Sequence, residues 1–180
     1  MKNEFYNKVE TVFRYSNSNN ELFDAFGDAL KNKINDFELY KILLANPSLS
    51  VDEIKMFSEK LLKDMPMNTY HILMWVAKIF ESRSSGFVDF DETIRYYERA
   101  INTRPVEYEP HLNLLNIFNY EVETEQNKKI LHLVENGIGR VISKSKIYYA
   151  LADLHKRLGD TKTSSKYVAL AEKAAVNERE

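Results

Sequence analysis

The side chains able to do acid–base or metal chemistry are scattered along this 180-residue sequence. The four histidines are His71, His111, His132 and His155. They show no HExxH or other short metal-ligand spacing. Cysteine is absent, which excludes disulfides, thiolate catalysis and cysteine-type zinc sites. Gly137-Ile-Gly139 lacks the preceding strand and the Lys-Ser/Thr of a phosphate-binding loop. We therefore predict a non-enzymatic protein without a cofactor or a metal site.

Amide and aromatic side chains offer recognition chemistry instead. Asn113, Asn116 and Asn119 recur every three residues, although Asn is an indifferent helix former. An Asn side chain both donates and accepts hydrogen bonds, so it can pair with an extended peptide backbone. The spacing predicts that the three amides share one flank of a helix. A solvated helix face would produce the same pattern, and both interpretations stay open.

The composition favours a helical protein that does not select its partners by bulk charge. With 44% hydrophobic and 29% charged residues but only five Gly and four Pro, the chain can build a substantial helical core. The formal net charge of −2 gives no general attraction to nucleic acid or to anionic membranes. No signal peptide and no run of ~20 apolar residues stands out. We expect a cytoplasmic protein that contacts neither membrane nor nucleic acid.

Capping signals divide the chain into about ten helices. Capping-box pairs stand at Ser18/Glu21, Ser50/Glu53 and Asp89/Glu92. Gly159 is expected to end a helix in the left-handed conformation, with Asp160 capping the next helix. Gly137 is expected to end a helix in the same way. Because no strand pattern with hairpin turns is present, these signals predict an all-α fold.

Residues 90–105 resemble the second helix of a tetratricopeptide repeat (TPR). The matching positions are Phe90, Thr93, Tyr97, Ala100 and Pro105, where that family places an aromatic, a small residue, an aromatic, Ala and Pro. The resemblance is firmest over 51–105 and 145–178, weaker over 108–139 and weakest over 1–45. It implies one domain over 1–180, a TPR-like solenoid of about five helix pairs wound as a right-handed α-α superhelix. An irregular α-helical bundle of regulatory role that contains two genuine TPR units is the alternative.

In the TPR family a concave groove, built from the first helix of each unit, binds a protein or peptide partner. Carried over by register, the groove positions include Tyr70, Asn116, Asn119, Tyr120, Tyr149, Asp153, Lys156 and Arg157. The resemblance therefore implies a scaffold or adaptor that recognises a protein or peptide. The five-residue clamp of TPR proteins that bind chaperone C-termini is matched only at Asn113 and Lys146, so we do not expect that ligand.

Three further predictions concern aromatic and apolar residues. Trp75 and most Tyr and Phe residues are expected to pack in the core. Trp75, Phe80-Glu81 and residues 96–100 also resemble the half-TPR repeat of RNA-processing assemblies, although the Trp–aromatic–Glu spacing differs by one residue. The N-terminal helix has a wider apolar face than a terminal helix needs, so Phe5 and Val12 are predicted to contact a neighbouring chain or a partner.

Overall fold

The computed structural model describes residues 4–83, 87–121 and 124–179 of the chain. Within these ranges the chain forms ten α-helices and no strand, which confirms the all-α class. The helices are α1 (Glu4–Tyr15), α2 (Asn19–Lys31), α3 (Phe37–Leu44), α4 (Val51–Asp64), α5 (Thr69–Arg83), α6 (Phe87–Thr103), α7 (Glu109–Asn116), α8 (Glu125–Gly137), α9 (Lys144–Arg157) and α10 (Thr161–Asn177). None of the described helices is long and apolar enough to cross a membrane.

The helices fall into two compact units, Met1–Ser82 and Arg83–Glu180. The first unit contains α1 to α5 and the second contains α6 to α10. Short 3-10 turns precede α5 and α9, at Pro66–Asn68 and Ile138–Arg140. One domain over 1–180 goes beyond either unit and stays a prediction.

Short-range signals set several helix ends as predicted. Ser50 and Glu53 form a complete capping box. In it, the Glu53 N–H donates to Ser50 Oγ at 3.3 Å and the Ser50 N–H donates to Glu53 Oε2 at 2.7 Å. Ser18 caps α2 through its side chain. Gly159 is left-handed, with φ of 80°, and Asp160 caps α10 directly after it.

One predicted helix start is wrong, and at Gly137 the helix ends as predicted but without the predicted left-handed conformation. α6 begins at Phe87, so the backbone of Asp89 lies inside the helix and not at the position that precedes its first residue. Gly137 has φ of −79° and ψ of −34°, which are helical values, and not a left-handed conformation. Glycine is needed there for space, because a Cβ at Gly137 would stand 2.2 Å from Nε2 of His111. This glycine therefore marks a close contact between helices.

In the first unit, α1 and α3 lie side by side and run in the same direction. Tyr6 Oη donates to Asp36 Oδ2 at 2.6 Å, beside the start of α3. Further along both helices, the ring centres of Phe13 and Tyr40 are 6.3 Å apart. At the far end, the buried Asn46 donates to the Phe13 carbonyl at 2.9 Å. Residue numbers rise together on both helices, so the helices are parallel.

Aromatic rings join the two helix pairs of the first unit. Phe26 of α2 makes edge-to-face contacts with Tyr40 of α3 and Phe57 of α4, at 5.9 Å and 4.7 Å between ring centres. Burial, with smaller effects of two nearby carboxylates, raises the pKa of Tyr40 to about 12. Trp75, which was expected in the core, is only half-buried, although its Nε1 donates to the Lys41 carbonyl at 3.2 Å.

In the second unit, α7 and α9 are parallel in the same way. Near the start of both helices, Lys146 Nζ lies 3.8 Å from the centre of the Tyr108 ring. Near their ends, the Arg157 guanidinium lies 5.4 Å from the centre of the Tyr120 ring. Cation–aromatic contacts of this kind favour the side-by-side arrangement.

The helices α6 and α8 of the second unit are also parallel. Gln126 Nε2 donates to Asp91 Oδ1 at 3.1 Å, near the start of both helices. Lys129 Nζ pairs with Glu98 Oε2 at 3.1 Å further along both helices. In this unit, helices two apart in the chain therefore lie side by side and run in one direction, both for α7 with α9 and for α6 with α8.

Candidate functional site

The predicted groove residues divide into one buried residue and a set of exposed ones. Tyr70 of the first unit is only 4% exposed, so its side chain packs inside that unit and offers no binding surface. The exposed set lies in the second unit and consists of Asn116, Asn119, Tyr120, Tyr149, Asp153, Lys156 and Arg157. Tyr120 and Tyr149 are 39% and 48% exposed, a large fraction for aromatic side chains.

The three asparagines do not share a helix face, contrary to the prediction. α7 ends at Asn116, and the chain has left the helix before Asn119. The reason is a tertiary contact. The Asn119 N–H donates to Asn127 Oδ1 at 3.1 Å, and the Asn119 carbonyl accepts from Asn127 Nδ2 at 2.7 Å. The Asn127 side chain thus pairs with both the N–H and the carbonyl of Asn119. These two backbone groups therefore do not need hydrogen-bond partners from a further helical turn.

Asn127 is the positioning residue that the sequence analysis missed. It lies in the first turn of α8, is 4% exposed, and its own N–H donates to the Thr124 side chain at 3.1 Å. With both amide atoms it holds the segment 117–121 at the surface, and this segment presents Asn119 and Tyr120. An Asn three residues after a Thr cap looks like an ordinary helix start, so only its burial distinguishes it.

A groove of about 320 Å³ opens between the segment 118–120, the beginning of α8 and the residue after α9. We call it the Tyr120 groove, and its lining consists of Phe118, Asn119, Tyr120, Asn127, Lys128, Leu131 and Leu158. The rings of Phe118 and Tyr120 lie 5.3 Å apart and form one aromatic wall. Leu158, at the edge of the groove, is 45% exposed. The groove therefore combines apolar walls with an amide and a cation.

The charges at the groove are held in exposed ion pairs. Arg157, whose guanidinium lies over the Tyr120 ring, also pairs with Asp153 at 2.8 Å from Nε to Oδ2. Lys128 Nζ pairs with Glu125 Oε1 at 2.9 Å. All four charged side chains are more than half exposed. Exposed pairs of this kind contribute about 0–1 kcal/mol, so a carboxylate of a partner can replace the internal one at little cost.

The exposed face of α9 extends away from the groove. Tyr149, Asp153, Lys156 and Arg157 lie at spacings of three, four and seven residues, which place them on one side of a helix. Tyr148 does not belong to this face, because its ring stacks on that of Tyr167 at 6.1 Å. The Tyr148 ring is therefore already engaged within the unit.

Two of the four histidines, His111 and His155, occupy packing positions, whereas His71 and His132 are exposed. His111 is fully buried, and the His155 ring stacks on Tyr167 at 5.4 Å. His132 is exposed, with its ring 3.0 Å from the Asn136 amide. In the part of the chain that the structure describes, no three His, Asp or Glu residues are grouped so that they could hold a metal ion.

A second, larger groove of about 470 Å³ lies wholly within the first unit. Its lining includes Phe13, Arg14, Lys41 and Trp75. The Lys41 ammonium lies 5.2 Å from the centre of the Trp75 ring and 2.7 Å from Glu38 Oε1. The cation next to the tryptophan is thus already paired with an internal carboxylate, and it covers the ring that a ligand would need.

No family model, no curated protein and no solved structure matches this chain.

Proposed function

We propose that this chain is a non-enzymatic, TPR-like adaptor that binds a protein or peptide through the Tyr120 groove and the exposed face of α9. One observation carries the proposal. Asn119, Tyr120 and Arg157, which the resemblance assigns to a concave surface, meet around a single groove. Its aromatic wall, in which Tyr120 is 39% exposed, and its amide are typical of surfaces that recognise an extended peptide.

The helix arrangement supports the repeat architecture. The first helices of the proposed pairs begin at Glu4, Phe37, Thr69, Glu109 and Lys144. Three of the four intervals, of 33, 32 and 35 residues, are close to the ~34 residues of a TPR unit, and the interval from Thr69 to Glu109 is 40 residues. Within each unit, parallel contacts join helices two apart in the chain. Stacked helix pairs require this pattern, because each pair buries its apolar face only against the next pair.

The burial of small residues supports the same proposal. In TPR-like packing, small side chains allow neighbouring helices to approach closely. Ser58, Thr93, Ala100 and Ala171 stand at such positions in three different pairs, and each of them is 0% exposed. The buried Tyr97, also 0% exposed, fills the space between helices as the family pattern implies.

We propose an acidic peptide segment with a large apolar side chain as the occupant of the Tyr120 groove. Phe118, Leu131 and Leu158 form the apolar part of the lining, which suits a bulky side chain. Lys128 and Arg157 supply two cations at the rim, each in an exposed and exchangeable ion pair. A carboxylate next to the bulky side chain would take over one of these pairs.

The test is a peptide-display selection on the full chain, followed by affinity measurement with fluorescein-labelled peptides. We expect selected peptides to combine an aromatic or aliphatic anchor with Asp or Glu. Tyr120→Ala should weaken their binding tenfold or more, because it removes a rigid aromatic contact. Arg157→Glu should also weaken peptide binding, and the loss of affinity should be larger at low salt than at high salt.

Matched controls keep this test specific. Ile142→Ala removes an apolar side chain that is 71% exposed and lies outside the groove lining. Lys173→Glu makes the same charge change as Arg157→Glu on the exposed surface of α10. Equal affinities for all four variants would overturn the groove assignment, provided that circular dichroism shows all of them folded.

A further inference from the structure

His111 is a buried titratable residue that recognition at the groove does not use. It lies in the first turn of α7 and is 0% exposed. Among the described residues neither ring nitrogen has a partner within the usual hydrogen-bond distance and angle limits, and the Glu107 carbonyl, which favours the protonated ring, falls short of them. Its Nε2 would be 2.2 Å from a Cβ at Gly137, so the ring packs directly against the backbone at the end of α8.

We propose that the contact between His111 and Gly137 is an acid-sensitive joint, at which protonation of the imidazole separates the start of α7 from the end of α8. A neutral imidazole is tolerated in an apolar contact at moderate cost. The imidazolium carries a full charge and two N–H donors that need acceptors or water. Since the contact leaves no room for a methyl group, solvating the charged ring requires the helices to move apart.

The surroundings of His111 offer little compensation for a positive charge. Burial of the ring is the largest effect opposing its protonation. The Glu107 carbonyl favours protonation less strongly, and the like charge of Arg140, in the turn after α8, opposes protonation as well. Together these effects lower the pKa of His111 to about 4, with burial as the main cause. At the same end of the unit, α7 carries the exposed carboxylate of Glu109 and α9 begins with the cationic Lys144.

The side chains buried on the neighbouring helices contribute no further charge. On α8 and α9 they are Asn127, Ile130, Val134, Ser145, Ile147, Leu151, Ala152 and Leu154, none of which titrates. On α6 the phenols of Tyr96 and Tyr97 are buried and stay neutral in acid solution. Glu92 of the same helix is a partly buried carboxylate, with its side chain 14% exposed and paired with Arg95 at 3.5 Å. Of the fully buried side chains that the structure describes on α6 to α9, His111 is the one whose charge changes on acidification.

The sign of the pH effect follows from the two protonation states. An opened or unfolded chain binds the proton near the ordinary histidine value of about 6.5, but the packed ring binds it only near 4. Stability is therefore fully present above about pH 6.5 and falls between pH 6.5 and 4, and this residue adds no further loss below that. The unfolding equilibrium constant should rise on the order of a hundredfold across this window.

The first experiment measures urea unfolding of the full chain between pH 7 and 4 for the wild type and His111→Leu. The carboxylates titrate in both proteins, so the difference between the two curves isolates His111. We expect the stability of the wild type to fall more steeply with decreasing pH than that of the variant. The difference between the two slopes should correspond to the uptake of close to one proton per molecule on unfolding. Parallel curves would overturn the proposal.

The second experiment measures the separation of the two helices and does not depend on folding of His111→Leu. Because the chain has no cysteine, Glu109→Cys and Asn136→Cys place two spin labels at exposed positions of α7 and α8. We expect the distance between the labels to lengthen or broaden between pH 6.5 and 4. A control pair, Lys156→Cys and Ser165→Cys on α9 and α10, should not change in that range.

An NMR titration of the His111 ring in the unlabelled wild type completes the test. A ring that titrates near pH 6.5 while the label distance stays constant would show that the imidazolium is accommodated without opening, and would overturn the proposal. All three measurements use the free protein. Their failure would leave peptide binding at the Tyr120 groove untouched, and a failed peptide selection would leave the joint untouched.

Discussion

At the scale of single residues, the contact between His111 and Gly137 predicts a strong dependence of one substitution on another. Gly137→Ala should destabilise the protein by about 1–3 kcal/mol, because the new methyl group overpacks the imidazole. In a His111→Ala background the same change should be neutral or stabilising, since Ala is favoured over Gly in helices by about 0.5–1 kcal/mol. Urea denaturation of the four proteins gives the coupling energy.

The matched control for this prediction is Gly27→Ala in α2. A Cβ at Gly27 meets no atom within 4 Å, so the substitution should stabilise the protein by about 0.5–1 kcal/mol. If Gly137→Ala behaves like Gly27→Ala, the close contact with His111 does not exist in solution. The acid-sensitive joint would then lose its structural basis as well.

Residue roles could be predicted from the sequence where their causes are local. Gly159 ends α9 and Ser50 caps α4 because the groups they serve lie within a few residues along the chain. The roles of Gly137 and Asn127 depend on His111 and on the backbone of Asn119, which local patterns do not reveal. Asn127, the side chain that shapes the candidate site, could therefore not be identified from the sequence.

At the scale of helices, the last helix closes back on the start of α9. The Ser145 N–H donates to Glu178 Oε1 at 2.9 Å, and Ser145 Oγ donates to Oε2 at 2.5 Å. Ser143, which precedes α9, makes no side-chain capping bond. A carboxylate from the end of α10 thus supplies the N-terminal cap of α9. These two bonds hold the pKa of Glu178 below its ordinary value.

We predict that Glu178→Gln lowers the free energy of unfolding by about 0.5–1 kcal/mol at pH 7, the range of a modest helix cap. Glu172→Gln, on the exposed surface of α10, is the control and should have no effect. The contribution of Glu178 is complete above the ordinary Glu value and is lost as the pH falls through its lowered pKa. Urea denaturation at neutral and acid pH should therefore show a difference between wild type and variant that disappears in acid.

Helix positions followed from the sequence more reliably than helix lengths and neighbours. Caps and apolar periodicity predicted about ten helices, as the described residues show. The end of α7 at Asn116 was missed because the tertiary bond from Asn127 outweighs the local pattern. The parallel contacts between α1 and α3 and between α7 and α9 join residues far apart in the chain, so only the resemblance to a repeat family implied them.

At the scale of the whole molecule, the apolar surface of the first unit bears on assembly. Phe5 and Val12 on α1 are half-buried. Tyr15 and Phe23 of the same unit are 72% and 55% exposed. An apolar surface of this kind is unfavourable in water and is often covered by a second chain or a partner.

We predict that the wild type self-associates at high concentration through α1 and that Val12→Asp weakens this association. A carboxylate at Val12 would have to be desolvated in an interface between two α1 helices, which costs far more than leaving it in water. Multi-angle light scattering should give the wild type a mass above 21.1 kDa that rises with concentration, and the variant a mass near 21.1 kDa. Ile142→Asp places the same charge on an exposed apolar residue of the second unit and should leave the association unchanged.

Because self-association through α1 occupies the first unit, peptide binding at the Tyr120 groove should be the same for Val12→Asp and the wild type. A wild type that stays at 21.1 kDa at every concentration would contradict self-association through α1. Contact with a different partner would then be the explanation for the apolar face of α1.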